Sequence, residues 1–361
     1  YRTRRFFLTA HLAPTTFRLS ASNHPTPRLF DYLTIRLFDY MTTYFITGGL
    51  GFLGQYIVQA IHEHDPAAEL RVLVRTQRKT FLGIEALEGV RWVHGELTQP
   101  ETFRKHLEGV DVVIHNAAMV SFRRADANAI YQANVVGTHH LIEAALSAGS
   151  KRFIFISSIS ALGFNPHGLS DETTLPDLDY KRTHDMYGYT KRLSELELIE
   201  LANRMHVILL NPSVILGPGS ERIRSVYRLA RFLPLLPMLR YINSFVDVRD
   251  VAQAVVLALT KGRSGERYVV TAWNVDMLTF TRLTLQRAGR KTLLLPVSGA
   301  WVRLLDAAVW LLDLLRLNPG LRRISEMNVD KPFSNEKIKR ELGWQPAYTL
   351  EQSIADSLDL A

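Results

Sequence analysis

The chain has 361 residues, 47% of them hydrophobic and 22% charged: enough apolar material for a sizeable core, and not the composition of a disordered segment. It has no cysteine, which excludes disulfides, thiolate nucleophiles and cysteine-ligated zinc. The net charge of +8 is uneven, since residues 1–40 hold six arginines against Asp31 and Asp39, and no long Lys/Arg block comes after them; a nucleic-acid footprint is not indicated.

Residues 1–30 show little periodicity. Arg28-Leu29-Phe30-Asp31-Tyr32 then returns as Arg36-Leu37-Phe38-Asp39-Tyr40 just before Met41, the first methionine. Residues 1–40 therefore read as a disordered extension outside the fold, and cutting at Met41 is expected to leave folding intact. The sharper reading is an organelle-targeting segment, because residues 1–28 carry five arginines and no acid. No amphipathic stripe supports it.

The next stretch organises the rest. Tyr44-Phe45-Ile46 predicts a strand, Phe52 to Ile61 a helix, and TGGLGFLG, Thr47–Gly54, joins them. Strand, glycine turn and helix hold a dinucleotide pyrophosphate. Gly48 permits the tight turn, Gly51 lets backbone approach the phosphates, and Gly54 lets the helix sit near the strand. The N–H groups of Phe52, Leu53 and Gly54 then face the anion, aided by the helix dipole. Glycine-rich turns also occur without ligands, so the reading leans on the residues downstream of the turn.

Leu70–Val74 predicts a second buried strand. Where an NAD site places Asp or Glu for the ribose 2′-hydroxyl, this chain has Arg75, then Arg78 and Lys79. A guanidinium pairs with a 2′-phosphate, so NADP(H) is favoured, with NAD(H) the alternative. The bland reading is a solvated basic loop. Val90–Val93 leads to Glu96 and Leu97, read as facing adenine or as an exposed loop. Val110–Ile114 ends in His115-Asn116-Ala117-Ala118, where small Ala117 and Ala118 leave room for ribose and nicotinamide. His115 reads as a packed strand-end residue, because no second ligand stands at metal spacing; no metal is expected. Asp126 to Ala148 reads as one long helix carrying Asn134. Alternating strands and helices predict an α/β fold with a doubly wound parallel sheet, its crevice at the strands' C-terminal ends.

Phe153–Ile156 is the fifth strand and ends in Ser157-Ser158. Downstream, Tyr187 and Lys191 stand four apart on one helical face. A free phenol, with pKa about 10, is a poor proton carrier at neutral pH. A nearby ammonium lowers that value, so Tyr187 can exchange a proton with a carbonyl or alcohol while hydride moves at carbon. Lys191 also holds the nicotinamide ribose, and Ser158 steadies the substrate oxygen. Tyr189 has Leu193 four residues on and is the weaker candidate. A lone Tyr-x-x-x-Lys is usually a surface pair; the glycine turn and the serine pair in the right order argue otherwise.

From Met41 to about Leu358 the chain resembles an extended short-chain dehydrogenase/reductase, of the epimerase/dehydratase superfamily. TGGLGFLG and HNAA match its motifs, as do Asn134-Val135-Val136-Gly137-Thr138 and Ser158 five residues before Gly163. The resemblance makes Ser158, Tyr187 and Lys191 catalytic, gives Asn134 a supporting role, and places Pro212 and Val214 in the turn that contacts the nicotinamide carboxamide. Gly217-Pro218-Gly219, Phe245–Ala252 and Leu342–Pro346 resemble later landmarks. Glu96 departs from the usual Asp, and Leu162 from the Tyr frequent in sugar-nucleotide epimerases. The branch it most resembles is that of dihydroflavonol reductases and 3β-hydroxysteroid dehydrogenases.

The expected layout is a Rossmann domain over 41–270, with substrate-lobe insertions near 164–185 and 217–245, and a smaller α/β lobe over 271–361. Leu229 to Leu239 is apolar and proline-broken. Ala300 to Leu317 reads as a helix, too charged at Arg303, Asp306, Asp313 and Arg316 to span a membrane. Its apolar remainder reads as core packing; the sharper reading is a substrate channel or peripheral membrane contact. The expected function is hydride transfer to or from a hydroxyl or ketone of a moderately apolar small molecule, by a cytoplasmic homodimer. One alternative is a nucleotide-sugar epimerase or dehydratase with tightly held NAD, using Arg222, Arg224 and Arg228 for a second pyrophosphate. The other is a non-enzymatic NADP(H) sensor.

Overall fold

A computed structural model describes residues 41–76, 80–121, 124–176, 185–220, 223–224, 234–297, 299–314 and 329–359. The extension before Met41, and Arg78, Lys79, Arg222, Arg228 and Arg316, lie outside the described residues.

Short apolar runs set the sheet. Its strands are β1 (Thr43–Thr47), β2 (Glu69–Val74), β3 (Val90–His94), β4 (Val112–His115), β5 (Arg152–Ile156), β6 (His206–Pro212) and β10 (Glu266–Val270). They pair in the order β10-β6-β5-β4-β1-β2-β3, every neighbour parallel. Both faces are buried, which is why the runs are unbroken. Tyr44, Ile46, Ile154 and Ile156 pack on one side, against α1 (Phe52–His64) and α5 (Val248–Lys261). Phe45, Phe153 and Phe155 pack on the other. There they meet α3 (Gly137–Ser147) and α4 (Met186–Glu200). The order reverses between β1 and β4, whose ends Thr47 and His115 are register partners. A crevice opens at such a switch point.

The long helix expected over 126–148 is helical but not regular. After α2 (Ala127–Tyr131) the backbone takes a π turn, Gln132–Val136, before α3 begins. Asn134 sits in that wider turn.

A second sheet joins β7 (Val214–Leu216), β9 (Ile242–Asp247) and β11 (Trp273–Asp276). Phe245 of β9 stacks on Phe280 of α6 (Met277–Arg287), centroids 4.6 Å apart. Leu350 and Ile354 of α9 (Leu350–Asp359) close this small core. The late landmarks meet on α5. Trp344, just past α8 (Glu336–Leu342), donates its indole N–H to the Asp250 carbonyl at 2.9 Å, and Ala347 N–H donates to the Asp250 carboxylate at 2.9 Å.

Two stretches become definite. The proline-broken stretch includes β8 (Leu235–Met238), which pairs in parallel with β12 (Leu293–Pro296). The helix α7 (Gly299–Leu314) is not packed into a core: it buries Val302 and Val309 but leaves Trp301, Leu304, Leu305, Trp310 and Leu311 exposed. The reason is geometric, since two residues seven apart give one narrow contact stripe.

Candidate active site

The glycine turn does what its spacing predicts. Gly48 has φ +71°, and a Cβ there would lie 2.7 Å from the Ala117 amide nitrogen, so only glycine lets the turn close on the end of β4. A Cβ on Gly54 would lie 2.0 Å from the Gly48 carbonyl oxygen, so α1 can start against the turn only without a side chain there. Gly51 is exposed and precedes α1, whose N-terminus no side chain caps. The N–H groups of Phe52, Leu53 and Gly54 thus stand at an uncapped helix start, the arrangement that suits a pyrophosphate.

Behind the turn runs a buried chain of hydrogen bonds. Thr47 Oγ1 lies 2.6 Å from His115 Nδ1, and His115 Nε2 lies 2.8 Å from Thr138 Oγ1. Thr138 donates its hydroxyl to the Asn134 carbonyl at 2.5 Å. Having spent its proton, Thr138 can only accept from the ring, so His115 carries its proton on Nε2 and accepts from Thr47 at Nδ1. Thr47 Oγ1 accepts in turn from the Ala117 N–H at 3.1 Å. Burial, with Lys191 nearby, holds the His115 pKa well below its usual value, so the ring is neutral. His115 is the packed residue that its position suggested.

Ser158 stands just past β5 and caps a short turn, Ile159–Ala161, accepting the Ser160 N–H at 3.1 Å. The helix α4 is brought to this turn by two residues. Asp185 caps it, accepting the Gly188 N–H at 3.0 Å. A Cβ on Gly188 would lie 2.3 Å from the Ser160 carbonyl oxygen, so the helix approaches only because that residue is glycine. The approach sets the half-buried Tyr187 phenol in hydrogen-bonding reach of the Ser158 hydroxyl. Lys191, one turn on, is buried and donates from Nζ to the Ile156 carbonyl at 2.7 Å, with the Phe155 ring 4.5 Å away.

The electrostatics differ from the simple expectation. Burial pushes the Tyr187 phenol up to about 12, Ser158 opposing and Asp185 assisting. Burial pushes the Lys191 amine down to about 7, with Glu195 opposing. Desolvation sets the direction of both shifts, so within the protein alone Tyr187 is held as the protonated acid.

Asn134 supports this group without touching it. Its side chain clamps the segment after β4, accepting the Met119 N–H at 2.7 Å and donating to the Met119 carbonyl at 3.0 Å. It also donates to Thr190 of α4 at 3.2 Å, while Ser194 of α4 donates to its carbonyl at 2.9 Å. The wide turn aims this amide between two elements that the crevice needs in register.

Glu195 is the main residue that the sequence reading missed. Fully buried, it accepts from Arg267 Nε at 2.9 Å, Arg192 at 3.2 Å and Asn211 Nδ2 at 2.6 Å. Asn211 also donates to the Ser158 carbonyl at 3.0 Å, tying the cluster to the serine. The available signal was spacing, since Glu195 stands one turn beyond Lys191 on the same face.

The remaining candidates lie along the same sheet edge. Ala118 is exposed beside Ala117, and Arg75 is exposed just past β2. Glu96 and Leu97 are half-buried after β3; the Leu97 carbonyl lies 3.0 Å from His140 Nδ1. Pro212 ends β6 and Val214 begins β7. The Gly217-Pro218-Gly219 turn beyond β7 folds back on α1, where Tyr56 donates its hydroxyl to the Pro218 carbonyl at 3.0 Å.

The profile of the NAD dependent epimerase/dehydratase family matches residues 44–271. The chain belongs to this family. It is an enzyme of the extended short-chain dehydrogenase/reductase type. It is 32% identical to sterol demethylase protein B of Methylococcus capsulatus, over 88% of this chain and 97% of that one. It is 28% identical to a putative dihydroflavonol 4-reductase of Synechocystis, over 87% and 93%. The crystal structure of gox2253 superposes with a TM-score of 0.77 at 28% identity, covering 88% of this chain and 97% of that one.

Proposed function

We propose that this family member transfers hydride between NADP(H), in preference to NAD(H), and a hydroxyl or ketone of a moderately apolar small molecule. The observation that carries the reading is the convergence of Ser158, Tyr187 and Lys191 at the sheet edge where the glycine cradle excludes any side chain. That cradle and the uncapped start of α1 fit a pyrophosphate. The dinucleotide, when bound, supplies or accepts the hydride.

Every other part falls to the chain. Gly48, Gly51, Phe52, Leu53 and Gly54 hold the phosphates through backbone. Ala117, Ala118, Pro212 and Val214 line the path of the ribose and nicotinamide, and Glu96 and Leu97 that of the adenine. Arg75 meets the 2′-phosphate; no carboxylate stands at the end of β2 to repel it. Tyr187, held protonated, gives its proton to the carbonyl oxygen in the reductive direction. Ser158 steadies the charge developing on that oxygen. Lys191 holds the ribose hydroxyls, its ammonium anchored on the Ile156 carbonyl. Asn134 is a positioning residue. An apolar substrate is supported by the names of the sterol demethylase and dihydroflavonol reductase relatives.

The test is a panel of ketones and alcohols, following NADPH and NADH absorbance in parallel. Net turnover that is faster with NADPH and falls about 10²–10⁴-fold in Tyr187→Phe is expected. Unchanged turnover in that variant refutes the assignment. Nucleotide retained through purification without net oxidation or reduction would favour an epimerase or dehydratase instead.

A further inference from the structure

The reaction leaves the helix α7 unused. At about 100° per residue, its one buried stripe is Val302 and Val309. Leu304 and Leu311 lie at the centre of the opposite face, and Trp301 and Trp310 stand at its two edges. These four side chains are 48–61% exposed. Ala307 and Ala308 fill the arc between, both exposed, and its lone charge is Arg303, beside Trp310. Leucines at the middle and tryptophans along both margins are how a helix is built to lie in a bilayer interface: aliphatic groups deepest, indoles at headgroup level.

The chain leading into α7 is basic, and the helix's own acids, Asp306 and Asp313, take positions on the Val302–Val309 side, away from the exposed arc. From Met277 to Leu305 the chain has Arg282, Arg287, Arg290, Lys291 and Arg303 and no Asp or Glu, and all five cations are exposed. Between them, β12 exposes Leu293 and Leu295 just before α7 starts. A second copy of the chain fits this surface poorly, because an isologous pairing brings two copies of the same basic patch together. No described helix is long and apolar enough to cross a membrane.

We infer that α7 lies flat on a membrane surface, its Trp301–Leu311 face sunk among acyl chains and its flanking cations on anionic headgroups. The inference does not depend on the reaction assigned above.

Flotation of the full chain with phosphatidylcholine vesicles, with and without phosphatidylserine, tests it. Binding to the anionic vesicles is expected, weakened by salt, with tryptophan emission quenched by brominated acyl chains. The double substitution Leu304→Glu and Leu311→Glu should weaken binding at least about tenfold. Both positions are exposed, so the melting temperature should hold; in the wild-type chain, absence of flotation with either vesicle overturns the inference by itself. So does flotation that the double variant leaves unchanged. A wild-type dimer that the double variant turns into a monomer, with no vesicle binding, assigns the face to a second copy instead.

Discussion

Tyr187 and Lys191 were legible as a pair because four-residue spacing puts them on one face; their electrostatics were not. The sequence shows an amine near a phenol but not how deeply each is set, and burial decides the direction of both shifts. Lys191 therefore carries a cost with a definite pH dependence. Below pH 7 its ammonium is charged in both states, and folding bears the full desolvation penalty. As pH rises from 7 toward the ordinary lysine value the folded state sheds its proton first, and the penalty fades. Lys191→Met should accordingly raise the melting temperature most at pH 6, by the equivalent of a few kcal/mol, and least at alkaline pH, while abolishing turnover. Thermal melts across pH beside an activity assay check this. A variant less stable than wild type throughout would mean that the bond to Ile156 outweighs the buried charge.

Among the elements, strands and helices were largely readable from apolar runs and glycine punctuation. What escaped was the close approach at Gly188. The glycine in Tyr187-Gly188-Tyr189 looks like a mild helix weakness, worth about 1 kcal/mol against alanine. In the folded chain it is the contact that seats α4 on the Ser158 turn. Gly188→Ala should therefore destabilise by about 1–3 kcal/mol, the reverse of the propensity effect, and depress kcat by moving the phenol from Ser158. Denaturant melts and steady-state kinetics would show both; a more stable, fully active variant would refute the contact. The exposed face of α7 was likewise only half legible, since amphipathic spacing says which residues share a side and not what covers them.

At the scale of the molecule, the two late motifs near 245–252 and 342–346 gave no hint in sequence that they answer one another. Asp250 joins them, and burial raises its carboxyl to about 6 despite the Ala347 N–H. A raised acid is protonated in the folded state before the unfolded one, so its penalty is absent below pH 4 and complete above pH 6. Asp250→Asn should gain about 1–3 kcal/mol relative to wild type as pH passes from 4 to 7. A pH-independent difference in melting temperature would argue against a buried charge there. The wide turn at Gln132–Val136 carries a last consequence, for chain length. It holds one residue more than an ordinary helical repeat, so deleting one there lets the backbone relax into regular helix and keep the sheet. The same deletion turns the amide of Asn134 away from Met119 and Thr190. Such a shortened protein should melt nearly as late as its parent and turn over far more slowly, a lesion felt in chemistry before it is felt in architecture.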